Sequence, residues 1–337
     1  MTNNPQFQRP SFQFNARKSP LALTIGILVI LGALFTALSG FYADWLWFKS
    51  VDFTSTWSTI LTTKATLFIV GGSVTSLLVM FNVYLAYKRR PLYVPMNIEA
   101  DNLERYRSQV EPIRRPLFIG LFIALFYFAG SAGSQMWTTW LLFKNSTPFG
   151  VKDPQFNLDV SFFAFRLPFW QTLISWAIST AVLAILASAA VHYLYGGIRL
   201  QVQSDRTTVA ARVQLSVLLG LVVLLKAVAY WFDRYALALK ESKLITGLTY
   251  TDVNAVLPAK AILAGIALIC ALLFFANIVR RSWVLPAAGT ALLVISSVLI
   301  AGLYPGAIQQ FQVKPSESSK EAPYIQRNID ATRAAYG

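Results

Sequence analysis

Lys226 is the clearest candidate for chemistry in this sequence, because it places an ionisable side chain inside the long apolar run 213–232. A lysine near the centre of a membrane span costs about 2.5–3.5 kcal/mol on insertion scales, so such residues often line paths for ions or solutes. Alternatively, its flexible stem could carry the ammonium towards the headgroups near Trp231, about 7.5 Å further along a helix axis. The sequence has no acidic residue in the middle of an apolar run to pair with Lys226, and we favour the second interpretation. Amides that could share a polar path are Asn82, Gln135 and Asn277.

Asp52, Asp159 and Asp252 share a local pattern, in which the aspartate is followed by an apolar residue and a small polar residue. Each triplet leads into a long apolar run. If the three lay side by side in a repeated fold, their carboxylates could attract cations at one membrane surface. An aspartate ahead of a helix more often accepts hydrogen bonds from the first amides of that helix, and we favour this capping role.

The sequence offers little for catalysis or metal binding. It has one cysteine, Cys270, and one histidine, His192; we interpret the first as a buried apolar residue and the second as a residue at the membrane interface. The HExxH and Cys-rich zinc motifs, the phosphate loop and the dinucleotide fingerprint are all absent from the sequence. We therefore predict no enzyme activity and no cofactor. A hypothetical active site at the outer surface would rest on Asp44, Asp153, Asp159 and Arg166.

The composition places these residues in a membrane protein. The chain has 337 residues, of which 55% are hydrophobic and 13% are charged, and its mean hydropathy is +0.53. Soluble domains are about 45–50% apolar and about 25% charged, so a disordered chain and a typical cytosolic enzyme are both excluded. The net charge of +14 could suggest nucleic acid. Most basic residues flank apolar runs, however, and we predict no nucleic-acid partner.

Apolar runs of about 20 residues are long enough to cross the hydrocarbon core of a bilayer as a helix. We identify seven such runs, at 19–43, 65–87, 117–137, 169–195, 213–232, 261–279 and 283–304. The sequence therefore predicts an all-α membrane protein with seven transmembrane helices. In this prediction, residues 1–18 form a flexible cytoplasmic tail, residues 19–304 form the membrane domain, and residues 305–337 form an extracytoplasmic tail.

The basic residues predict the orientation of the chain. Lys and Arg are more frequent in the segments that share a side with the N-terminus, and such an excess marks the cytoplasmic side of the plasma membrane. We therefore expect a cytoplasmic N-terminus and an extracytoplasmic C-terminus. Basic residues at span ends attract anionic lipids, which makes Lys88, Arg89 and Arg90 candidates for contact with headgroups. The mixed-charge segment 97–107 predicts a short surface helix.

Three outer segments resemble each other and suggest three repeated helical hairpins followed by a seventh span. Each segment opens with aromatic residues and a basic one, at 45–49, 140–144 and 230–234, and closes with one of the aspartate triplets. Parallel repeats build several membrane folds, although the aromatic belt at membrane interfaces explains the first feature by itself. The segments are rich in apolar residues, so we predict that they form interfacial helices, one of them over 231–244.

The last part of the chain predicts a further helix. Ser318-Ser319-Lys320-Glu321 has the pattern of a capping box, in which a serine and a glutamate three residues later satisfy the first amides of a helix. We expect this helix to run to about Ala335.

Three stretches are distinctive: FYADWLWF at 41–48, DPQFNLDVSFFAFRLP at 153–168, and VKPSESSKEAPYIQRNIDATR at 313–333. Together they resemble the UPF0182 family of bacterial multi-pass membrane proteins. The resemblance implies seven N-terminal spans followed by a large extracytoplasmic domain, which would begin where this chain stops at Gly337. The family has no assigned activity and supplies no catalytic residues to transfer.

These observations lead to two hypotheses for the function. The first is a non-catalytic scaffold or anchor for an extracytoplasmic domain or envelope complex. The alternative is a transporter or channel in which Lys226 lines a polar pathway. The expected partners are membrane lipids and either an envelope protein or further copies of this chain.

Overall fold

The structure, a computed structural model, describes residues 20–91, 98–199, 206–242, 245–280 and 284–337. These residues form helices and connecting loops, with no named strand among them. Within these ranges, seven helical stretches are long and apolar enough to cross a membrane. They are Thr24–Ser50, Thr54–Lys88, Leu103–Ser134, Phe162–Leu194, Val209–Leu239, Asp252–Arg280 and Val284–Tyr336. The prediction of an all-α chain with seven such helices is confirmed. The predicted tail 1–18 lies outside the described residues.

The α-helices of the described residues are numbered in chain order. They are α1 (Pro20–Ser50), α2 (Thr54–Lys88), α3 (Ile98–Ser134), α4 (Trp137–Lys144), α5 (Leu167–Leu194), α6 (Val209–Ala236), α7 (Leu257–Arg280), α8 (Val284–Ser296), α9 (Tyr304–Ala307) and α10 (Glu317–Tyr336).

Two predicted surface helices are wrong, because their residues belong to longer helices. The mixed-charge segment is the beginning of α3, which continues into the third apolar run. The segment that begins at Trp231 is the end of α6, followed by a 3₁₀ turn at Leu237–Leu239. Its aromatic rings pack against other parts of the protein: Phe232 lies 6.1 Å from Trp170 between ring centroids, and Tyr235 lies 5.1 Å from Phe156.

The last helical stretch continues well beyond the predicted seventh span. Helical turns follow one another from Val284 to Tyr336, and the predicted tail helix is α10. The predicted capping box is wrong, because α10 continues from earlier turns and its N-cap residue, Ser316, makes no side-chain capping bond. Glu321 has a different partner, described below.

π-helical turns precede prolines in the described residues. The four turns are Phe162–Arg166, Asp252–Val256, Ser297–Leu303 and Ile308–Val313, and each ends two residues before a proline, at 168, 258, 305 and 315. Proline lacks an amide hydrogen, and its ring clashes with the carbonyl four residues earlier in an α-helix. A π-helical turn is wider than an α-helical one. It leaves room for the proline ring and does not need the missing amide hydrogen.

Two of the aspartate triplets therefore share local geometry. Asp159 lies just ahead of one π-helical turn and Asp252 begins another. The third triplet differs, because Asp52 lies in a turn with a φ of 59° and α2 begins two residues later as an ordinary α-helix. The three-hairpin repeat remains a prediction.

The chain divides into two compact units, Met1–Thr62 and Thr63–Gly337. In the described part of the first unit, the Phe53 amide donates to the Phe48 carbonyl at 2.9 Å and closes the turn that follows α1. Close by, the Phe41 and Trp57 rings pack edge to face with centroids 4.9 Å apart.

Small residues let α2 and α3 approach closely in the second unit. A Cβ atom added to Gly72 would lie 2.6 Å from the Phe126 carbonyl oxygen, and one added to Gly130 would lie 2.8 Å from the Phe68 carbonyl oxygen. Lipid tails give no hydrophobic reward for helix contact, so membrane helices gain from such close backbone packing. The other extensive helix contacts join α6 to α5 and to α7, and α7 to α8.

Buried polar side chains pair across these helices. His192 is 1% exposed and its Nε2 lies 3.0 Å from Gln214 Oε1, while the Gln214 amide donates to the Asn82 carbonyl at 2.9 Å. Asn277 Nδ2 donates to Ser216 Oγ at 2.7 Å. His192 lies in the last turn of α5 with its ring inside the protein, and its position at a membrane interface stays a prediction. Cys270 is buried as expected.

Candidate functional site

The site with the most extensive polar contacts lies where α10 meets the ends of other helices. We call this region the junction face; it comprises residues 145–161, 237–242 and 245–252, and α10. Its side chains surround a cavity of about 160 Å³. The polar residues that line the cavity are Asp153, Gln155, Thr246, Tyr324, Arg327 and Asn328.

Asp252 is the buried centre of the junction face, with none of its surface exposed. Its carboxylate accepts a hydrogen bond from the Thr249 amide at 3.1 Å, and the Asp252 amide donates to Thr249 Oγ1 at 3.3 Å. These reciprocal bonds resemble a capping box at the start of the helical run that contains α7. Lys240 Nζ lies 2.7 Å from the same carboxylate, so the buried charge has an ionic partner.

Glu321 brings α10 to the same helix end. This glutamate is 4% exposed, and both its carboxylate oxygens accept from the Tyr250 amide, at 3.2 and 3.0 Å. Carboxylates at helix N-termini satisfy free amides and interact favourably with the helix dipole. The neighbouring Lys320 places Nζ 4.7 Å from the centroid of the Tyr250 ring. The sequence analysis missed this role of Glu321.

Further hydrogen bonds hold α10 and the turns before it. Asn328 Nδ2 donates to the Thr246 carbonyl at 2.9 Å, and Arg327 Nη1 donates to Gln155 Oε1 at 3.3 Å. Thr251 Oγ1 donates to the Gln309 side chain. These contacts join segments that are far apart in sequence, and none of them has a local sequence motif that could have revealed it.

Asp159 caps the neighbouring loop. Its carboxylate accepts from the amides of Phe149, Gly150 and Ser161 at 3.1, 2.9 and 2.9 Å. Hydrogen bonds from the Ser161 side chain and then from these amides hold the pKa of Asp159 well below its usual range. The Asp153 carboxylate also binds backbone amides: its Oδ2 accepts from the amides of Gln155 and Phe156 at 2.9 and 2.7 Å. Both carboxylates are thus engaged by backbone amides. For Asp159 only the Ser161 amide belongs to the helix that follows, while the amides of Phe149 and Gly150 belong to the preceding loop.

Asp52 belongs to the first compact unit and is exposed. Its left-handed backbone conformation forms the turn between α1 and α2. Aspartate and asparagine tolerate this conformation better than most other residues.

Lys226 lies on the exposed surface of α6. Its Nζ is 5.1 Å from the centroid of the Tyr230 ring, one turn further along the helix. An apolar groove of about 220 Å³ runs between α2, α5 and α6, and Lys226 is not among the residues that line it. Two of the amides that could share a polar path with Lys226 have other partners. The Asn82 carbonyl accepts from Gln214, and the Asn277 side chain donates to Ser216.

The candidate headgroup residues lie at the end of α2. Lys88 and Arg89 are exposed, and Lys88 Nζ is 6.0 Å from the Tyr84 ring centroid. Arg90 stacks over Tyr87, with its guanidinium carbon 4.1 Å from the ring centroid. Arg90 therefore has a defined position within the protein.

Comparison with known proteins identifies the family. The model of a family described as "Uncharacterised protein family (UPF0182)" matches residues 21–337 of this chain. A UPF0182 protein of Streptomyces coelicolor is 49% identical over 326 residues, which cover 95% of this chain and 33% of that protein. A UPF0182 protein of a Nocardioides species is 46% identical over 98% of this chain and 33% of its own length. This chain thus spans about a third of the length of these relatives, and no solved structure matches it. On this evidence the chain belongs to the UPF0182 family.

Proposed function

We propose that the chain is a non-catalytic membrane anchor for an extracytoplasmic domain or envelope complex, and that the junction face fixes the direction in which α10 leaves the membrane domain. The buried contact between Glu321 and the Tyr250 amide carries this proposal. Helices in proteins gain most of their stability from tertiary packing, and α10 has 20 residues to hold in place. Contacts of this kind give α10 a fixed position from which a further domain or a partner could be held.

The surface of α10 that faces away from the junction supports the same function. Gln326, Ile329, Asp330 and Arg333 are exposed on this helix, and Tyr336 is 90% exposed at its end. A mixture of polar, charged and aromatic groups is typical of surfaces that bind other proteins. In this proposal the junction side holds the helix and the free side contacts the partner.

Purification from membranes in a mild detergent tests the proposal. We expect a protein that co-purifies in stoichiometric amount with the wild-type chain and with Glu317→Ala, an exposed change on the same helix, but is lost with Glu321→Ala. The proposal would fail if the partner stayed bound to the Glu321→Ala variant. Specific movement of a solute or ion by the purified chain in liposomes would also contradict a purely anchoring role.

The transporter alternative depends on Lys226 facing a hydrated path. The position of its ammonium beside the Tyr230 ring supports contact with the membrane surface instead. A flux assay on wild-type protein and Lys226→Met in liposomes separates the two functions. Equal flux in both proteins is expected for an anchor, and a specific flux that Lys226→Met abolishes would support the alternative.

A further inference from the structure

A cluster of arginine and tyrosine side chains lies where α2 and α5 end and the first half of α3 passes them. We call it the basic cluster, and its members are Tyr87, Arg90, Arg107, Glu111, Arg114 and Tyr195. It lies at the opposite end of α5 from the junction face, about 40 Å away along a helix of this length.

Glu111 organises the two tyrosines of the basic cluster. Tyr87 donates its hydroxyl to Glu111 Oε1 at 2.9 Å, and Tyr195 donates its hydroxyl to Glu111 Oε2 at 2.8 Å. Arg114 bonds to both Glu111 and Tyr87. The rings of Tyr87 and Tyr195 meet edge to face, with centroids 5.2 Å apart. One carboxylate is therefore neutralised by one arginine, and the two rings are fixed in position.

Two further arginines have unused hydrogen-bonding capacity. Arg107 donates from Nε to the Leu194 carbonyl at 2.6 Å and from Nη1 to Glu104 at 3.1 Å. Its Nη2 is buried and has no hydrogen-bond partner. Arg90 stacks on Tyr87 and Tyr195, and among the described residues no carboxylate lies within salt-bridge distance of it. Buried donors are nearly always satisfied in proteins, so Arg107 Nη2 points to an acceptor from outside the chain, and the partly exposed Arg90 is close enough to share it.

We propose that Arg90 and Arg107 bind the phosphate of an anionic phospholipid. The guanidinium carbons of both lie near the Tyr195 ring, at 5.4 and 6.0 Å from its centroid. Guanidinium groups match phosphate oxygens in geometry and charge, and basic sites between membrane helices on one side of a bilayer recognise anionic headgroups. The cluster stands at the ends of two spans, where tyrosine rings and headgroups lie at the same depth.

The neighbouring apolar groove favours a lipid over free phosphate. It is lined by Leu78 and Asn82 of α2, by α5 between Trp176 and Ala184, and by α6 between Leu218 and Leu225. Asn82 precedes Tyr87 by five residues, about 7.5 Å along the helix axis. A single phospholipid could therefore place its phosphate at the basic cluster and one acyl chain in the groove, which free phosphate cannot fill.

Exposed basic residues around the cluster would attract the same ligand without contacting it in a fixed geometry. They are Lys88, Arg89, Arg105 and Arg115. They provide matched controls, because each carries the same charge at the same end of the helices. If the cluster is a defined binding site, the loss of Arg90 should weaken lipid binding more than the loss of Arg89. If the surface attracts lipid only by its diffuse charge, the two losses should be equal.

Native mass spectrometry of the purified chain in a neutral detergent tests the proposal, with phosphatidylglycerol and phosphatidylcholine as the probes. We expect phosphatidylglycerol to bind preferentially and Arg90→Gln to weaken it about tenfold, the effect of losing one charged hydrogen bond. Arg107→Gln should weaken it similarly, Arg90→Lys should weaken it less, and Arg89→Gln should change it little. If Arg107→Gln does not fold, Arg90→Gln and Arg90→Lys still decide the result.

Three results would overturn the proposal. Equal losses in Arg89→Gln and Arg90→Gln would indicate diffuse attraction, and equal binding of both lipids would exclude a phosphate site of this kind. Displacement of phosphatidylglycerol by inorganic phosphate at comparable concentration would assign the site to free phosphate. The measurement needs no partner protein, so its failure is distinct from failure of the anchor function.

Discussion

The junction face and the basic cluster both lie where long apolar helices end, yet their charged groups have different partners. At the junction face, Asp252 and Glu321 are buried and bond to helix amides, and Lys240 completes the pair with Asp252. In the basic cluster, Glu111 and Arg114 keep about 40% of their side-chain surface exposed, and Arg107 retains a buried donor without a partner.

This difference separates a structural contact from a binding surface. Asp252 is buried although its partner Lys240 is half exposed, so removing Lys240 leaves an uncompensated buried charge and destabilises the fold. Removing a half-exposed charge has a small effect on stability, because water replaces the lost partner. Substitutions at the junction face should therefore change stability, whereas those in the basic cluster should change ligand binding.

Lys240→Met should produce the largest loss of stability. Lys240 is itself 47% exposed, but its loss leaves the Asp252 carboxylate, which is 1% exposed, with only Thr249 to bond to it. We expect the free energy of unfolding to fall by about 1.5–3 kcal/mol, the range for a hydrogen bond to a charged group. Unfolding in mixed detergent micelles measures this change. The double variant Lys240→Met with Asp252→Asn should recover part of the loss, because it removes the unpaired charge. Additive losses in the double variant would contradict this explanation.

Glu321→Ala should release α10 from the junction. The change leaves the Tyr250 amide without its partner, which costs about 1–3 kcal/mol for a buried donor. We expect faster proteolysis within residues 317–336, with fragments identified by mass spectrometry. Glu317→Ala is the matched control, because Glu317 is exposed on the same helix. Equal cleavage rates in the two variants would show that the buried contact does not hold the helix.

Asp159 should make a smaller, pH-dependent contribution. Its pKa is lowered in the folded protein, so the carboxylate stabilises the fold above its ordinary pKa of 3.8, and this contribution is lost as the pH falls below that value. The difference in melting temperature between wild-type protein and Asp159→Asn should therefore be larger at neutral pH than near pH ~3. A difference independent of pH would exclude this linkage.

Glu111→Gln should have the smallest effect on stability. Its side chain is 40% exposed, so we expect a change below about 1 kcal/mol in the free energy of unfolding. The same detergent unfolding assay as for Lys240→Met gives a direct comparison between the two regions. A loss as large as that of Lys240→Met would mean that the basic cluster is also a structural contact.

Local sequence patterns anticipated part of this architecture. The apolar runs predicted the seven long helices. The π-helical turns ahead of the prolines at 168, 258, 305 and 315 were not predicted, although the missing amide is a property of proline itself. The capping prediction for Asp159 holds for the Ser161 amide, whereas its bonds to the amides of Phe149 and Gly150 were not predicted. The errors concern the limits of α3, which begins at Ile98 and continues into the third apolar run, and of α6, which continues past Trp231 to Ala236.

The contacts that define the two regions could not be predicted in this way. Glu321 and Tyr250 are 71 residues apart, and Arg107 and Leu194 are 87 residues apart. No periodicity links such pairs, because each depends on how whole helices are arranged. The same applies to His192, whose partner Gln214 lies on the neighbouring helix.

The sequence by itself determined that this chain has seven helices of membrane-spanning length, because the length of each apolar run must match the hydrocarbon thickness. It also determined membership of the UPF0182 family through the strings at 41–48, 153–168 and 313–333. Only the tertiary structure decided which charges are buried and which are free. Burial depends on the segments that surround a side chain, and in this protein those segments come from distant parts of the chain.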